Sequence, residues 1–94
     1  MLKSELIKLI KTNIKVERIE LKDFTHNHRN HQKDNDGKHF TLNIVSDDFI
    51  NISLIDRHRM IYKIVDKFLK NKIHALSISA QTILEYNEKE VSEN

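Results

Sequence analysis

The chain is expected to fold as one α/β domain of the α+β type, with the element order α-β-β-α-β-α and helices packed on a three-stranded mixed sheet. Its 94 residues suit a single domain. Apolar residues recur at helical spacing in some segments and alternate with polar residues in others. We place the domain at residues 1–86 and expect residues 87–94 to form a frayed tail.

The N-terminal half is predicted to contain a helix and two strands. The apolar residues that give the first dozen positions a helical face are Leu2, Leu6, Leu9 and Ile10. Residues 16–24 alternate apolar and charged side chains, and a similar alternation follows around Phe40, so both segments are predicted to be strands. The polar segment 25–38 between them has no periodicity and is predicted to be a long loop.

The C-terminal half is predicted to contain a long helix, a third strand and a last turn of helix. The helix covers residues 54–69, and its apolar stripe is expected to consist of Leu54, His58, Ile61, Val65, Phe68 and Leu69, flanked by Ile55 and Tyr62. The strand covers residues 74–80 and the final helical turn residues 82–86. Because a helix joins the second and third strands, these two strands should be parallel, with a right-handed crossover.

Histidines are the chemically distinctive residues of this chain. There are six of them: His26, His28, His31, His39, His58 and His74. Parallel strands begin at the same end of a sheet, so His39 and His74 should lie at one end. The loop enters the second strand at that same end, so its three histidines could converge there with them. Imidazole is the commonest metal ligand and exchanges protons near neutral pH. This end of the sheet is therefore a candidate binding site.

Each histidine also has a structural interpretation. The three in the loop fit a solvated segment, His58 fits a residue that braces the long helix, and His39 and His74 fit structural positions at strand starts. A closed zinc site needs four fixed ligands. Three ligands on a loop and one on a strand match that requirement poorly, so a site completed by another molecule fits better.

Composition narrows the classes of function. The chain has no cysteine, which removes thiol nucleophiles and disulfides. Sixteen basic against 14 acidic residues give a net charge of +2, too balanced to favour nucleic acid on charge alone. Lysines interrupt the apolar residues at the start, so we expect a cytoplasmic protein without a membrane partner. No nucleophile–base motif accompanies Ser46, Asp47 or Tyr62, so we expect neither catalysis nor a small-molecule substrate.

The chain resembles the BolA family from the first helix to Tyr86. The matching segments are His39-Phe40, Val45-Ser46-x-x-Phe49, Arg57-His58-Arg59, Ile73-His74-Ala75-Leu76 and Thr82-x-x-Glu85-Tyr86. The loop from Asp23 to His31 follows the family pattern D-x-S/T-H-x-H-x-x-H. One departure is Asn51, where the family usually has glycine; asparagine tolerates left-handed backbone geometry better than most residues.

This resemblance implies a fold similar to type II KH domains and a partner, a monothiol glutaredoxin of the CGFS type. The pair would share a bridging [2Fe–2S] cluster, with thiolates from the glutaredoxin and glutathione; no cofactor is expected in the isolated chain. The implied ligands are His74 and a loop histidine, His28, with His31 and His26 in reserve. Partner-facing or structural roles fall to His39, Arg57, His58 and Arg59.

A second function is also implied, because BolA-like proteins are described as DNA-binding transcriptional regulators of stress response and cell morphology. Four lysines recur along the long helix or follow it: Lys63, Lys67, Lys70 and Lys72. They also fit an ordinary solvated helix face. The G-x-x-G loop with which KH domains grip nucleic acid is missing.

Overall fold

The computed structural model describes residues 2–24 and 38–92, and of His74 and residues 90–92 the backbone only. Within these ranges the chain forms four α-helices and one three-stranded sheet. The elements, in order, are α1 (Leu2–Asn13), β1 (Arg18–Asp23), β2 (Lys38–Val45), a 3₁₀ turn (Asp47–Phe49), α2 (Leu54–Ile64), α3 (Asp66–Asn71), β3 (Ile73–Gln81) and α4 (Ile83–Ser92). The α+β prediction is confirmed. In the described ranges no helix has the length and apolar character needed to span a membrane.

The sheet has the order β1-β2-β3, with β2 in the centre. β1 is antiparallel to β2, and Leu21 pairs with Leu42. β2 is parallel to β3, and Leu42 pairs in turn with Ile78. The parallel pairing predicted from the helical connection is therefore confirmed, and β2 and β3 begin at the same end of the sheet.

One face of the sheet carries the core. All but one of the buried apolar residues of the described ranges form one cluster, with members from the helices and from alternate strand positions: Leu6, Ile10, Ile14, Leu21, Phe40, Leu42, Ile44, Phe49, Ile61, Val65, Ile73, Leu76 and Ala80. Full burial of such a side chain contributes about 1.5–3 kcal/mol relative to an exposed one. The opposite face is polar, as in the cross-strand row Glu20, Asn43 and Ser79.

The long helix differs from its prediction in two ways. It is interrupted at Val65, whose φ of −100° and ψ of 15° end α2 and precede α3. The adjacent β-branched residues Ile64 and Val65 lower helix propensity at this point. In addition, the buried stripe includes Arg57, whereas Leu54 is 66% exposed and His58 is exposed. The placement of Leu54 and His58 on the buried stripe was therefore wrong.

The last helix is longer than predicted. It continues to Ser92 instead of ending near Tyr86. Its first turn is closed by a reciprocal pair of hydrogen bonds: Thr82 N donates to Glu85 Oε1 (2.9 Å), and Glu85 N donates to Thr82 Oγ1 (3.1 Å). This capping box satisfies backbone donors that a helix start otherwise leaves unpaired.

Candidate functional site

A β-bulge marks the end of the sheet where the histidines were predicted to meet. Lys38 of β2 pairs with Ile73 of β3, but the next β2 residue, His39, pairs with Ala75. His74 is therefore the extra residue, without a counterpart on β2. Bulges are enriched next to functional sites, where they redirect a side chain. The irregularity thus falls on the residue singled out as a ligand.

Both ends of the long loop lie at the same end of the sheet as His74. Phe24, just after β1, donates its backbone N–H to His39 O at 2.7 Å. Lys38, at the start of β2, donates its N–H to Lys72 O at 3.2 Å, immediately before β3. The loop that joins β1 to β2 therefore leaves and re-enters the sheet beside the starts of β2 and β3. The loop histidines His26, His28 and His31 lie outside the described residues.

The described side chains do not build a complete metal site by themselves. His39 is half-buried. Across residues 2–24 and 38–92, no group of three or more histidine, aspartate or glutamate side chains is arranged to hold a metal ion. His39, at the start of β2, carries an imidazole, a donor of the kind that an iron centre accepts. A metal centre here would therefore need further ligands from the loop or from another molecule.

The opposite end of the sheet is organised around Arg57. Its side chain is 6% exposed, and its guanidinium carbon lies 5.7 Å from the centre of the Phe49 ring. Its Nε donates to Ile52 O (2.8 Å), and its Nη1 donates to Ala80 O (2.9 Å). Nη1 and Nη2 also donate to the two carboxylate oxygens of Glu85, at 2.7 and 3.2 Å. Arg57 therefore connects α2, the end of β3 and the start of α4.

The carboxylate of Glu85 is strongly affected by this contact. The hydrogen bond from Arg57, followed by the one from the Thr82 backbone, lowers the pKa of Glu85 from 4.5 to about 2. Its side chain is nevertheless 45% exposed. Water therefore screens part of the charge interaction, and hydrogen-bond geometry accounts for most of the effect.

The segment after β2 connects three parts of the chain. Ser46 is fully buried; its Oγ donates to Lys15 O (2.7 Å) and accepts from Asp48 N (3.0 Å). Asp48 Oδ2 accepts from Lys15 N (2.9 Å), and Asp47 Oδ1 accepts from Ile83 N (3.1 Å). The Val-Ser-x-x-Phe motif thus holds the α1–β1 connection and the start of α4, which is a structural role.

Asn51 occupies a left-handed backbone position. Its φ is +65°, the only positive value among the described residues other than glycine. Left-handed geometry favours glycine and is tolerated by asparagine. This explains how the turn between the 3₁₀ segment and α2 forms although glycine is replaced.

The remaining predicted site residues lie on the exposed side of α2 and α3. Arg59 forms an ion pair with Asp56 (3.1 Å), with both side chains more than half exposed. Among the lysines, Lys70 pairs with Asp66 (3.4 Å). The exposed side chains on this surface are His58, Arg59, Lys63, Lys67, Lys70 and Lys72. None of these residues takes part in the Arg57 network.

Two contributors to the structure were not singled out for their role from the sequence. Glu85 is the carboxylate partner of Arg57, and its Thr-x-x-Glu spacing is a capping-box signal that could have located it. Tyr62 donates its hydroxyl to Leu76 O at 3.0 Å, on β3. No local pattern indicates this second contact, because it joins residues 14 apart in the chain.

Comparison with known proteins identifies the family. The sequence model of the BolA-like proteins matches residues 10–85. The chain belongs to the BolA family. It superposes on the BolA domain of SufE1 from Arabidopsis thaliana with a TM-score of 0.77 and 36% identity, over 87% of this chain and 92% of that one. BolA1 from the same plant gives a TM-score of 0.77 with 28% identity, over 87% and 92% of the two chains.

Curated relatives are matched over part of their length, and their names differ. The SufE-like protein 1 of A. thaliana is 43% identical over 70 residues, which are 68% of this chain and 19% of that protein. The DNA-binding transcriptional regulator BolA of Escherichia coli is 40% identical over 48 residues, 51% of this chain and 46% of the relative. The chain spans about half or less of the length of the first curated relatives it matches.

Proposed function

We propose that this BolA-like protein is a binding protein without catalytic activity that pairs with a monothiol glutaredoxin of the CGFS type. In the complex it would supply two imidazole ligands to a bridging [2Fe–2S] cluster, His74 from β3 and His28 from the loop. The glutaredoxin and glutathione would supply thiolates. The function would be the trafficking or sensing of iron–sulfur clusters.

The observation that carries this proposal is the bulge at His74. Every other residue of β3 has a partner on β2, whereas His74 has none. His74 also lies beside the two ends of the histidine-containing loop. Histidine ligation has a chemical consequence, because imidazole in place of thiolate raises the reduction potential of a [2Fe–2S] centre. His31 and His26 are the alternative loop ligands, and His39 is the nearest described histidine on β2.

The decisive experiment is a titration of the protein into cluster-loaded glutaredoxin with glutathione, followed by visible circular dichroism. A new spectrum that saturates at one equivalent is expected. His74→Ala and His28→Ala should each alter it, whereas His58→Ala, an exposed histidine on α2, should not. If the spectrum of the glutaredoxin does not change on addition of the wild-type protein, the proposal is wrong.

Ligation by histidine also predicts a pH dependence. Neutral imidazole binds metal, and an unperturbed histidine has a pKa of about 6.5. Cluster absorbance in the complex should therefore decrease between pH 8 and pH 5.5. The control is the same pH titration of the cluster-loaded glutaredoxin homodimer alone. If cluster absorbance stays constant over this pH range in both samples, the result argues against imidazole ligands.

Binding to DNA is the second candidate function. Two relatives are named DNA-binding transcriptional regulator BolA, from Haemophilus influenzae and E. coli. Four exposed lysines on or after α2 and α3 would provide the phosphate contacts: Lys63, Lys67, Lys70 and Lys72. Affinity should decrease steeply with salt, and replacing one contacting lysine by alanine should reduce the salt slope by about one. Binding that is insensitive to both changes would exclude this surface.

A further inference from the structure

A shallow apolar groove lies beside the end of the sheet that carries His74. Leu2 and Ile7 of α1 and Phe40 of β2 line it, and Lys3, Asp23 and Lys38 lie along it, around a volume of about 480 Å³. Asp23 and Lys38 are the last residue of β1 and the first of β2. The groove, called the α1 groove below, is therefore next to both ends of the loop.

We propose that the α1 groove is the docking surface for the glutaredoxin, with an apolar side chain of the partner against Ile7 and its anionic, glutathione-bound side facing the lysines. The inference rests on the proposed function and adds the surface that would hold the partner. It predicts that residues of the α1 groove contribute to the affinity for the partner, although none of them is a ligand of the cluster.

The composition of the groove matches that of a protein interface. Ile7 and Leu2 pack against the core but remain half-buried, so part of their apolar surface faces solvent. Charged side chains surround this surface on the α1 side and on the strand side. An apolar centre within a polar rim is the usual anatomy of a protein–protein contact.

Charge complementarity selects the partner. Two exposed lysines, Lys3 and Lys38, and one exposed carboxylate, Asp23, line the groove, so its charge is net positive. Lys38 pairs with Ile73, the residue before His74. Glutathione has two carboxylates, and thiolate ligands add negative charge to a cluster. A positively charged surface beside the ligand accelerates association with such a partner.

The test uses the full-length protein and cluster-loaded glutaredoxin with glutathione, in the same titration. Ile7→Glu places a charge in the apolar centre and should weaken binding tenfold or more, since central interface positions dominate affinity. Lys3→Glu should weaken it about threefold to tenfold and reduce its dependence on salt. The spectrum at saturation should remain that of the wild type, because the ligands are unchanged.

Two matched controls separate docking from general effects. Ile55→Glu changes an isoleucine that is 61% exposed on α2, and Lys15→Glu reverses an exposed charge beyond the C-terminal end of α1. Both should bind within about twofold of the wild type, as expected for positions outside an interface. Far-ultraviolet circular dichroism tests whether Ile7→Glu is folded, and Lys3→Glu, at an exposed position, carries the inference if it is not.

The outcomes distinguish this inference from the proposed function. If the wild type titrates and His74→Ala alters the spectrum, but Ile7→Glu and Lys3→Glu bind like the wild type, the α1 groove is not the docking surface. If the wild type causes no saturable change, both the function and its docking surface are overturned. If folded Ile7→Glu instead disrupts self-association of the free protein, the occupant is a second copy and the inference is wrong.

Discussion

Replacement of Arg57 by alanine should be among the most destabilising substitutions of a polar or charged residue in this protein. The wild-type side chain is 6% exposed and donates to two backbone carbonyls and one carboxylate. Alanine removes all of these donors and the contact of the guanidinium with the ring of Phe49. The backbone acceptors of Ile52 and Ala80 would then lack their partner.

The expected loss follows from the environment of each acceptor. A buried acceptor left without its donor costs about 1–3 kcal/mol, and the bond to Ala80 O is buried whereas that to Ile52 O is partly buried. The pair with Glu85 adds about 1 kcal/mol or less, because that carboxylate is 45% exposed and water can replace the guanidinium. Arg57→Ala should therefore lower the free energy of unfolding by about 3–5 kcal/mol.

Urea denaturation at pH 7 measures this loss, and Arg59→Ala is the matched control. Arg59 is two residues away on α2, but its side chain is 75% exposed and its partner Asp56 57% exposed. Its replacement should change the free energy of unfolding by no more than about 0.5 kcal/mol. A loss below about 1 kcal/mol for Arg57→Ala, or equal losses for the two variants, would refute the central role of Arg57.

Two further predictions concern acid stability and backbone geometry. The pKa of Glu85 is lowered from 4.5 to about 2, so its charged form stabilises the folded state above pH 4.5 and this contribution disappears as pH falls toward 2. The stability difference between wild type and Glu85→Gln, followed by urea denaturation at several pH values, should narrow over that range; a constant difference would contradict the hydrogen-bond assignment. Asn51→Val forces a β-branched residue to a φ of +65° and should cost about 1–2 kcal/mol in thermal unfolding. Asn51→Gly, the control, should be neutral or slightly stabilising, and equal stability of the two variants would show that the turn can relax.

The overall fold could be predicted because its signals are local and repetitive. Alternation over β1 and β2 and helical spacing in α1 and α2 each extend over several residues, and the helical connection makes β2 and β3 parallel. The same topology placed the starts of these strands, with His39 and His74, at one end of the sheet. The bulge at His74 was not predictable, because one extra residue changes neither composition nor period.

The buried face of α2 was predicted incorrectly because periodicity treats a charged residue as exposed. Arg57 can be buried because its acceptors are supplied by the end of β3 and by Glu85, 28 residues away in sequence. A hydrophobic pattern on α2 contains no information about so distant a carboxylate. His58 was assigned to the buried stripe instead, but its side chain is exposed on the outer surface of α2.

Stability and proposed binding are concentrated at opposite ends of β3. The carbonyl of Ala80, which binds Arg57, is six residues along the strand from His74, or about 20 Å at roughly 3.3 Å per residue. Sites this far apart without shared partners usually have additive effects. The free energy of unfolding lost in the double variant with Arg57→Ala and His74→Ala should therefore equal the sum of the losses in the two single variants to within about 0.5 kcal/mol. Under conditions where the Arg57→Ala protein is folded, its spectrum with cluster-loaded glutaredoxin should match that of the wild type. A change in that spectrum would show that the Arg57 network also sets the geometry of the end of β3 that carries His74. Stability and binding would then not be separable along this strand.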